Sequence, residues 1–286
     1  MPIRHTVNRP APNRRTPGLS ALSRLSPRHR LQRHPLPMRT WFAHSLVLTY
    51  ALPPSVLAPL VLPGLALDTY TDADGVEHGF VAVAVVDARA LRPSFLPARL
   101  GADHVLTGYR IFTRFPTPGG RTMRGLQILR SDTDDRLMVL GGNLLTRYHY
   151  RRARIATGVE GDTLSFRVDS ADGRADLAVR AAIGDGTPAP LPHGSSFANA
   201  KDARRFAGPL PYTFDYEPQT DSVIVVKATR TTWDPVPVAV EVPTLTFFDH
   251  GPFAGARPRL ANAFHVAGVQ YGWEAGSRRA RNGAER

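Results

Sequence analysis

From Thr40 to about residue 273, apolar side chains alternate with other residues in a long series of short segments. In the first segment Phe42, Leu46 and Tyr50 fall on one face of an extended chain. A period of two is typical of a β-strand, and clusters of Gly, Pro and Asp separate one segment from the next. Many strands with few helices favour a sandwich or a closed sheet. The sequence therefore predicts one α+β domain, mainly β and mostly antiparallel, over residues 39–275.

Two stretches between the alternating segments carry signals of their own. Residues 79–87 are an almost continuous run of valine and alanine, which is typical of a strand buried on both faces. Residues 131–135 read Ser-Asp-Thr-Asp-Asp and can cap a helix, which we expect to end at Gly141 and Gly142. The Asp-x-Asp spacing also occurs in calcium loops, but the glycine and the distant glutamate of such loops are missing. We interpret these carboxylates as helix caps and predict no metal site.

The two ends of the chain differ from its centre in composition. Residues 1–39 contain nine arginines and neither Asp nor Glu, and they show no apolar period. We predict disordered tails over residues 1–38 and 276–286, because such segments cannot bury enough apolar surface to fold. A chain that starts at Met38 should then melt within a few degrees of the full chain.

The net charge of +12 arises mainly in this N-terminal arm. The rest of the chain has 27 basic and 24 acidic side chains, so a basic nucleic-acid-binding face on the folded part is not indicated. The chain has no cysteine, which excludes disulfides, a thiol nucleophile and thiolate metal sites. A reducing compartment fits this composition, and we expect a cytoplasmic protein.

One uncharged stretch, residues 45–67, is long enough to span a bilayer. Four prolines interrupt it, and they would break a continuous helix. We therefore predict a strand, a turn, a short helix and a second strand, and no membrane segment. The chain also contains no phosphate-binding loop, no dinucleotide fingerprint and no Gly-x-Ser-x-Gly motif, so we predict no cofactor.

Several blocks of sequence occur in an order that resembles one known family. They are ALPPSVLAPLVLPGLALDTY (51–70), GYRIFTRF (108–115), RGLQILRSDTD (124–134), GNLLTRYHYRRARI (142–155) and FDYEP (214–218). These blocks resemble the domain of unknown function 2071 (DUF2071) family, of the acetoacetate-decarboxylase-like superfamily, over about residues 40–273. The resemblance implies a large, strongly bent antiparallel sheet that closes into a cone-like barrel around a ligand cavity.

The resemblance also implies where a catalytic lysine would lie. Acetoacetate decarboxylases form a Schiff base through one of two lysines in a Gly-Phe-Pro-Lys-Lys stretch. By order along the chain the corresponding segment is residues 143–151, which has no lysine. Arginine cannot replace lysine there because its guanidinium stays protonated. The decarboxylase mechanism is therefore not expected.

Three residues remain as weak catalytic candidates. Tyr148 and His149 occupy the segment that carries the lysines in the decarboxylases, and a histidine can act as an acid or base near neutral pH. Lys227 is the only lysine in a predicted strand. The alternatives are a structural histidine and a lysine whose amine extends from the strand into water.

Four arginines in the hairpin of residues 105–131 suggest an anion site. If Phe115 pairs with Arg121, then one face carries four arginines together with Phe112, Leu126 and Ile128. The four are Arg110, Arg114, Arg124 and Arg130. Arginine binds carboxylates through two parallel hydrogen bonds, so we predict Arg110, Arg114 and Arg130 as ligand-binding residues. The alternative is a solvated outer face, and a register slip of one residue would break the arrangement.

The leading hypothesis is thus a cavity-bearing protein that binds a small organic acid, with an enzymatic reaction left open. A non-catalytic scaffold or interaction protein on the same fold is the main alternative. A third hypothesis, nucleic-acid or membrane-surface binding by the N-terminal arm, follows only from its arginines.

Overall fold

The protein is described by a computed structural model that covers residues 27–117, 120–184 and 186–281. The strands of these ranges are β1 Met38–Leu52, β2 Ala66–Leu67, β3 Tyr70–Thr71, β4 Glu77–Pro93, β5 Ala102–Pro116, β6 Thr122–Thr133, β7 Tyr150–Glu160, β8 Thr163–Ser170, β9 Leu177–Ala182, β10 Tyr212–Glu217, β11 Ser222–Arg230, β12 Val236–Pro237, β13 Val240–Leu245, β14 Arg259–Trp273 and β15 Ser277–Ala280.

Helices are few and short. The α-helices are α1 Pro27–Leu31, α2 Pro54–Leu57, α3 Arg136–Leu145 and α4 Ala200–Ala207. Single 3₁₀ turns lie at Ala58–Leu60, Ala98–Leu100, Pro218–Thr220, Thr246–Asp249 and Gly251–Phe253.

Seven strands form a closed ring of hydrogen-bonded neighbours, in the order β1, β4, β5, β6, β10, β11 and β14, with β14 pairing back to β1. All neighbours in the ring are antiparallel except β6 and β10, which are parallel. The predicted fold class is confirmed, since a large bent and mainly antiparallel sheet is accompanied by a few short helices.

A second layer of strands covers one side of the ring. β7 pairs in parallel with β6, and β8, β9 and β13 then follow as antiparallel neighbours. Leu164 and Phe166 of β8 share the main apolar core with Leu46, Val83 and Tyr109 on the outer face of the ring. The main core therefore lies outside the ring, between the two layers.

β4 shows why the space inside the ring stays open. As predicted for residues 79–87, this strand is buried on both faces. Val83 and Val85 point outward into the main core, whereas Ala82 and Ala84 point inward. Because successive side chains of a strand alternate between its faces, the inner row of this strand consists largely of small residues.

Residues 27–37 differ from the predicted tail, because they pack on the domain. The Arg33 guanidinium donates to both carboxylate oxygens of Glu217 at 2.8 Å, and the His34 amide donates to the Leu145 carbonyl. The Glu217 carboxylate is buried, and nothing in the local composition of residues 27–37 reveals this distant partner. The remainder of the predicted N-terminal tail, residues 1–26, lies outside the described residues.

The C-terminal boundary also lies later than predicted. β15 pairs with β11, with Ser222 opposite Ala280 and Val225 opposite Ser277, so residues 277–280 belong to the sheet. Residues 282–286 of the predicted tail lie outside the described residues.

α3 begins as predicted but ends later. The Asp135 side chain caps it by accepting from the amides of Leu137 and Met138. The expected end at Gly141 and Gly142 is wrong, because the helix continues to Leu145. A Cβ at position 142 would overlap the ring of Tyr150, whereas one at position 141 would meet nothing within 4 Å. Gly142 therefore permits close packing instead of ending the helix.

None of the helices in the described ranges is long and apolar enough to cross a membrane. The uncharged residues 45–67 form the end of β1, α2, the first 3₁₀ turn and β2. This confirms the order of elements predicted from the four prolines.

Candidate functional site

A cavity of about 360 Å³ lies inside the ring. Every strand of the ring contributes to its lining, including Phe42 of β1, Ala84 of β4, Arg110 of β5, Thr213 of β10 and Tyr271 of β14. α3 and the segment before β1 close one part of the space. Most of the lining is apolar, and a few polar groups converge within it, which is the usual composition of a small-molecule site.

Arg110 is one of the two arginines of the described ranges that line this cavity. Its guanidinium lies over Gly108, where a Cβ would come within 2.9 Å of the Arg110 Nε atom. That Nε atom is buried and has no hydrogen-bond partner. No carboxylate among the described residues forms an ion pair with Arg110. The structure thus places a cation in a largely apolar cavity, with no counter-ion among the residues that the structure describes.

Three tyrosines lie around this guanidinium. Burial raises the pKa of Tyr148 and Tyr271, and it raises the pKa of Tyr150 to about 12, while the charge of Arg110 opposes the increase in all three. The Tyr148 hydroxyl is buried and has no hydrogen-bond partner. The phenols are therefore neutral at physiological pH, and Tyr148 offers a free donor beside the cation.

The cavity is positively charged as a whole. Its lining among the described residues includes Arg110 and Arg230 but no Asp, Glu or Lys. Arg230 donates to the Pro209 carbonyl at 3.1 Å and lies over the Trp233 ring at 5.4 Å. Burial lowers the pKa of His34, which also lines the cavity, so this ring tends to be neutral. The site therefore favours an anion.

The hairpin register differs from the predicted one by two residues. Phe115 pairs with Met123, and Arg110 pairs with Ile128. A shift of two preserves the faces of a strand, so Arg114 and Arg124 keep their predicted orientation relative to Arg110. Both of them instead form ion pairs with a carboxylate outside the cavity. Arg114 is 42% exposed, and its Nε lies 3.3 Å from Asp68, which Arg124 also contacts at 2.6 Å.

Arg130 lies on the opposite face from Arg110, contrary to the prediction. A β-bulge places Arg130 opposite Tyr109, whose side chain points outward. Arg130 is 6% exposed and forms ion pairs with Asp132 at 2.7 Å and Asp172 at 2.9 Å. Of the three predicted ligand-binding arginines, only Arg110 therefore lines the cavity.

Tyr148 is the only one of the three catalytic candidates that lines the cavity. The Lys227 Nζ lies 2.8 Å from Glu274, which raises the lysine pKa, and both side chains are half-exposed outside the ring. His149 has a φ of 54° and an exposed side chain between two residues that line the cavity, Tyr148 and Tyr150.

Other residues near the site were missed by sequence reasoning. Tyr150 follows Tyr148 with the strand period of two, which was a usable signal. Asp215 was marked by no comparable signal in the sequence. In the structure its charge acts on Tyr148, and burial raises its own pKa to about 6. The Arg147 Nε lies 3.8 Å from this carboxylate. Tyr271 and Arg230 reach the cavity only through non-local strand pairing.

Residues 39–267 match the family model of DUF2071, a family described as an uncharacterized conserved protein. The chain belongs to the DUF2071 family. No curated protein matches the sequence.

Solved structures similar to this DUF2071 protein share its fold at low sequence identity. Acetoacetate decarboxylase from Legionella pneumophila is 14% identical with a TM-score of 0.59, over 86% of this chain and 88% of that one. The enduracididine biosynthesis enzyme MppR complexed with pyruvate is 11% identical with a TM-score of 0.55, over 85% and 90%. An acetoacetate decarboxylase-like enzyme from Sphingomonas wittichii is 15% identical with a TM-score of 0.52, over 84% and 92%. The acetoacetate-decarboxylase-like fold is thereby confirmed.

Proposed function

We propose that this DUF2071 protein binds a small organic acid inside the ring, with Arg110 holding the carboxylate. The observation that carries the proposal is the unpaired guanidinium of Arg110 in the cavity. Arg110 is only partly exposed and its Nε atom is buried. A charge in a largely apolar cavity without a counter-ion is costly, and an anionic ligand would offset that cost.

The groups around Arg110 suit a carboxylate in particular. The planar guanidinium can donate two parallel hydrogen bonds to one carboxylate group. The Tyr148 hydroxyl, which has no partner, is a further donor for an oxygen of the ligand. One similar structure, MppR, is complexed with pyruvate, and an organic acid in a related fold agrees with this assignment.

The proposal includes no Schiff base. Such an intermediate requires a neutral amine beside the substrate, whereas Lys227 is held in a half-exposed ion pair outside the ring. Lys201, the other lysine, is exposed on α4. Tyr148 is the remaining candidate for proton transfer at the site. We place the protein in the cytoplasm on the absence of cysteine and assign the folded part no nucleic-acid or membrane partner.

The test is a thermal-shift screen against small carboxylates with three proteins. Wild type should be stabilised, because a ligand at a hundred times its Kd adds about 2.7 kcal/mol, or about 5–10 °C in a domain of this size. The variant Arg110→Met should lose this shift. The variant Arg114→Met should retain it, because Arg114 pairs with Asp68 outside the cavity.

Two results would contradict the proposal. Equal shifts in wild type and Arg110→Met would show that Arg110 is not the anchor. The absence of any shift in wild type would favour a non-catalytic interaction protein. An exposed row of leucines on α3, Leu137, Leu140 and Leu144, is the feature that supports this second candidate.

A further inference from the structure

The cavity offers much more room than a carboxylate needs. Its volume of about 360 Å³ falls within the range of about 300–1,000 Å³ that holds drug-sized ligands. An acid of two to four carbons would leave most of the walls without a partner, and such walls lose their dispersion contacts. The size of the site is therefore unexplained by the carboxylate alone.

Most of the cavity wall is aromatic and aliphatic. Phe112 and Leu126 line the cavity and belong to an apolar cluster with Phe80 and Phe197. The cavity is also lined by the aromatic residues Phe42, Trp233, Phe264 and Trp273. Among the described residues of the lining, the charged groups are Arg110, whose charge acts on three tyrosines, and Arg230, which lies over the Trp233 ring. The site is amphipathic, because two arginines lie within a largely apolar lining.

Small inward-facing residues keep this apolar part open. Ala82 and Ala84 of β4, Ala207 of α4 and Ala228 of β11 all contribute to the lining. Protein interiors normally fill to a high density, and larger residues at these positions would close the space. The outward-facing positions of the same β4 strand hold valines that do fill the main core.

The cavity meets solvent beside an apolar helix. Leu137 of α3 lines the cavity and is 76% exposed, so it lies at the mouth. Leu140 and Leu144 follow on the same face of α3, at 70% and 45% exposure. A ligand with an apolar body would contact Leu137 as it enters.

We propose that the ligand is a carboxylic acid with a sizeable apolar body, either a phenyl ring or an alkyl chain of about five carbons or more. This rests on the proposed function, because Arg110 holds the carboxylate. The apolar body occupies the space between the aromatic walls and the alanines of β4 and β11. Short keto acids and acetate are then weak ligands.

The experiment is isothermal titration of the full chain with acetate, pyruvate, hexanoate and 3-phenylpropanoate, and with the neutral amides of the last two. Burial of one methylene is worth a factor of about four in affinity. Hexanoate should therefore bind on the order of a hundredfold more tightly than acetate. Each amide should bind at least tenfold more weakly than its acid, because a neutral group does not pair with Arg110.

Variants that fill the apolar part test the same inference independently. Ala84→Leu and Ala228→Leu should each weaken hexanoate at least tenfold and change acetate by less than threefold. Ala228 is partly exposed, so this second variant remains informative if Ala84→Leu does not fold. Ala156→Leu, on an exposed position of β7, is the control and should change neither affinity.

The outcomes separate this inference from the proposed function. If acetate or pyruvate binds as tightly as hexanoate and Arg110→Met abolishes binding, the inference of an apolar body in the ligand is wrong. The proposed carboxylate site at Arg110 then still holds. Amides that bind as well as acids would overturn the role of Arg110. A wild type that binds none of the acids would overturn both.

Discussion

Two arginines of the same hairpin have opposite electrostatic surroundings: Arg130 is buried, whereas Arg110 is partly exposed within the cavity. Arg130 contacts Asp132 and Asp172 within 3 Å, whereas Arg110 has no such partner among the described residues. A buried arginine with two carboxylates is fully explained by its ion pairs. An arginine that lines a cavity and has no such carboxylate is the group from which a ligand site can be inferred.

A pair of histidines makes the stability of the domain depend on pH. The Nδ1 of His44 and the Nε2 of His265 lie 3.0 Å apart, and burial, together with the charge of His44, lowers the pKa of His265 to about 4. As the pH falls, His265 therefore becomes protonated near pH 6.5 in the unfolded chain but only near pH 4 in the folded chain. The contribution of His265 to stability is present above about pH 6.5 and is lost as the pH falls towards 4, on the order of 3 kcal/mol.

Urea unfolding of wild type and His265→Gln at pH 7 and pH 4.5 measures this contribution. The variant should lose less stability than wild type over this interval. Comparison of the two proteins is necessary because Asp215, with its pKa raised to about 6, acts in the opposite direction as it becomes protonated. Identical losses in both proteins would show that His265 titrates normally.

The arginines also show what the sequence could predict at this scale. The face of Arg110 was predicted correctly although the register was displaced by two residues, since a shift of two leaves every side chain on its face. The predicted face of Arg130 was wrong because a bulge adds one residue, Leu129, to β6 opposite Tyr109 and Arg110. No local residue pattern marked that bulge.

At the scale of elements, one of the two glycines in the middle of α3 allows the helix to pack closely against β7. A Cβ at Gly142 would overlap the Tyr150 ring, while Gly141 faces open space. We expect Gly142→Ala to destabilise the domain by about 1–3 kcal/mol through overpacking. Gly141→Ala should be neutral or stabilising by up to about 1 kcal/mol, because alanine has the higher helix propensity.

Chemical denaturation of both alanine variants checks this difference. Both substitutions lie in the same helix and add the same methyl group, so the pair is a matched control. Equal stabilities would mean that the helix does not pack against Tyr150 as closely as the structure indicates.

The segment before β1 is a second element with a testable role. The Glu217 side chain is 1% exposed and receives two hydrogen bonds from Arg33. Removal of one partner of such a pair leaves a buried charge, at a cost of about 3–5 kcal/mol. A chain that starts at Met38 should therefore melt several degrees lower than a chain that starts at Pro27.

Thermal melts of the two truncations and of Arg33→Met test this expectation, which reverses the one drawn from composition. Arg33→Met should reproduce most of the loss. A Met38 chain that melts with the longer one would restore the earlier boundary of the domain.

At the scale of the whole molecule, the main apolar core and the candidate site lie on opposite faces of the same ring. The main core fills the space between the outer face and the second layer, so the inner face is free to keep small residues and a cation. Alternating segments and the valine–alanine run were enough to predict a mainly β fold. Closure of the ring and the parallel pairings of β6 with β7 and β10 join distant segments, for which local patterns hold no signal.

The central claim is that the ring cavity binds a carboxylate at Arg110. A crystal structure of the protein with the tightest-binding acid of the titration series tests it most directly. The account predicts both carboxylate oxygens at about 2.7–2.9 Å from the Arg110 guanidinium, with the apolar body between β4 and β11. An acid bound elsewhere, or a cavity filled by rearranged side chains, would contradict it.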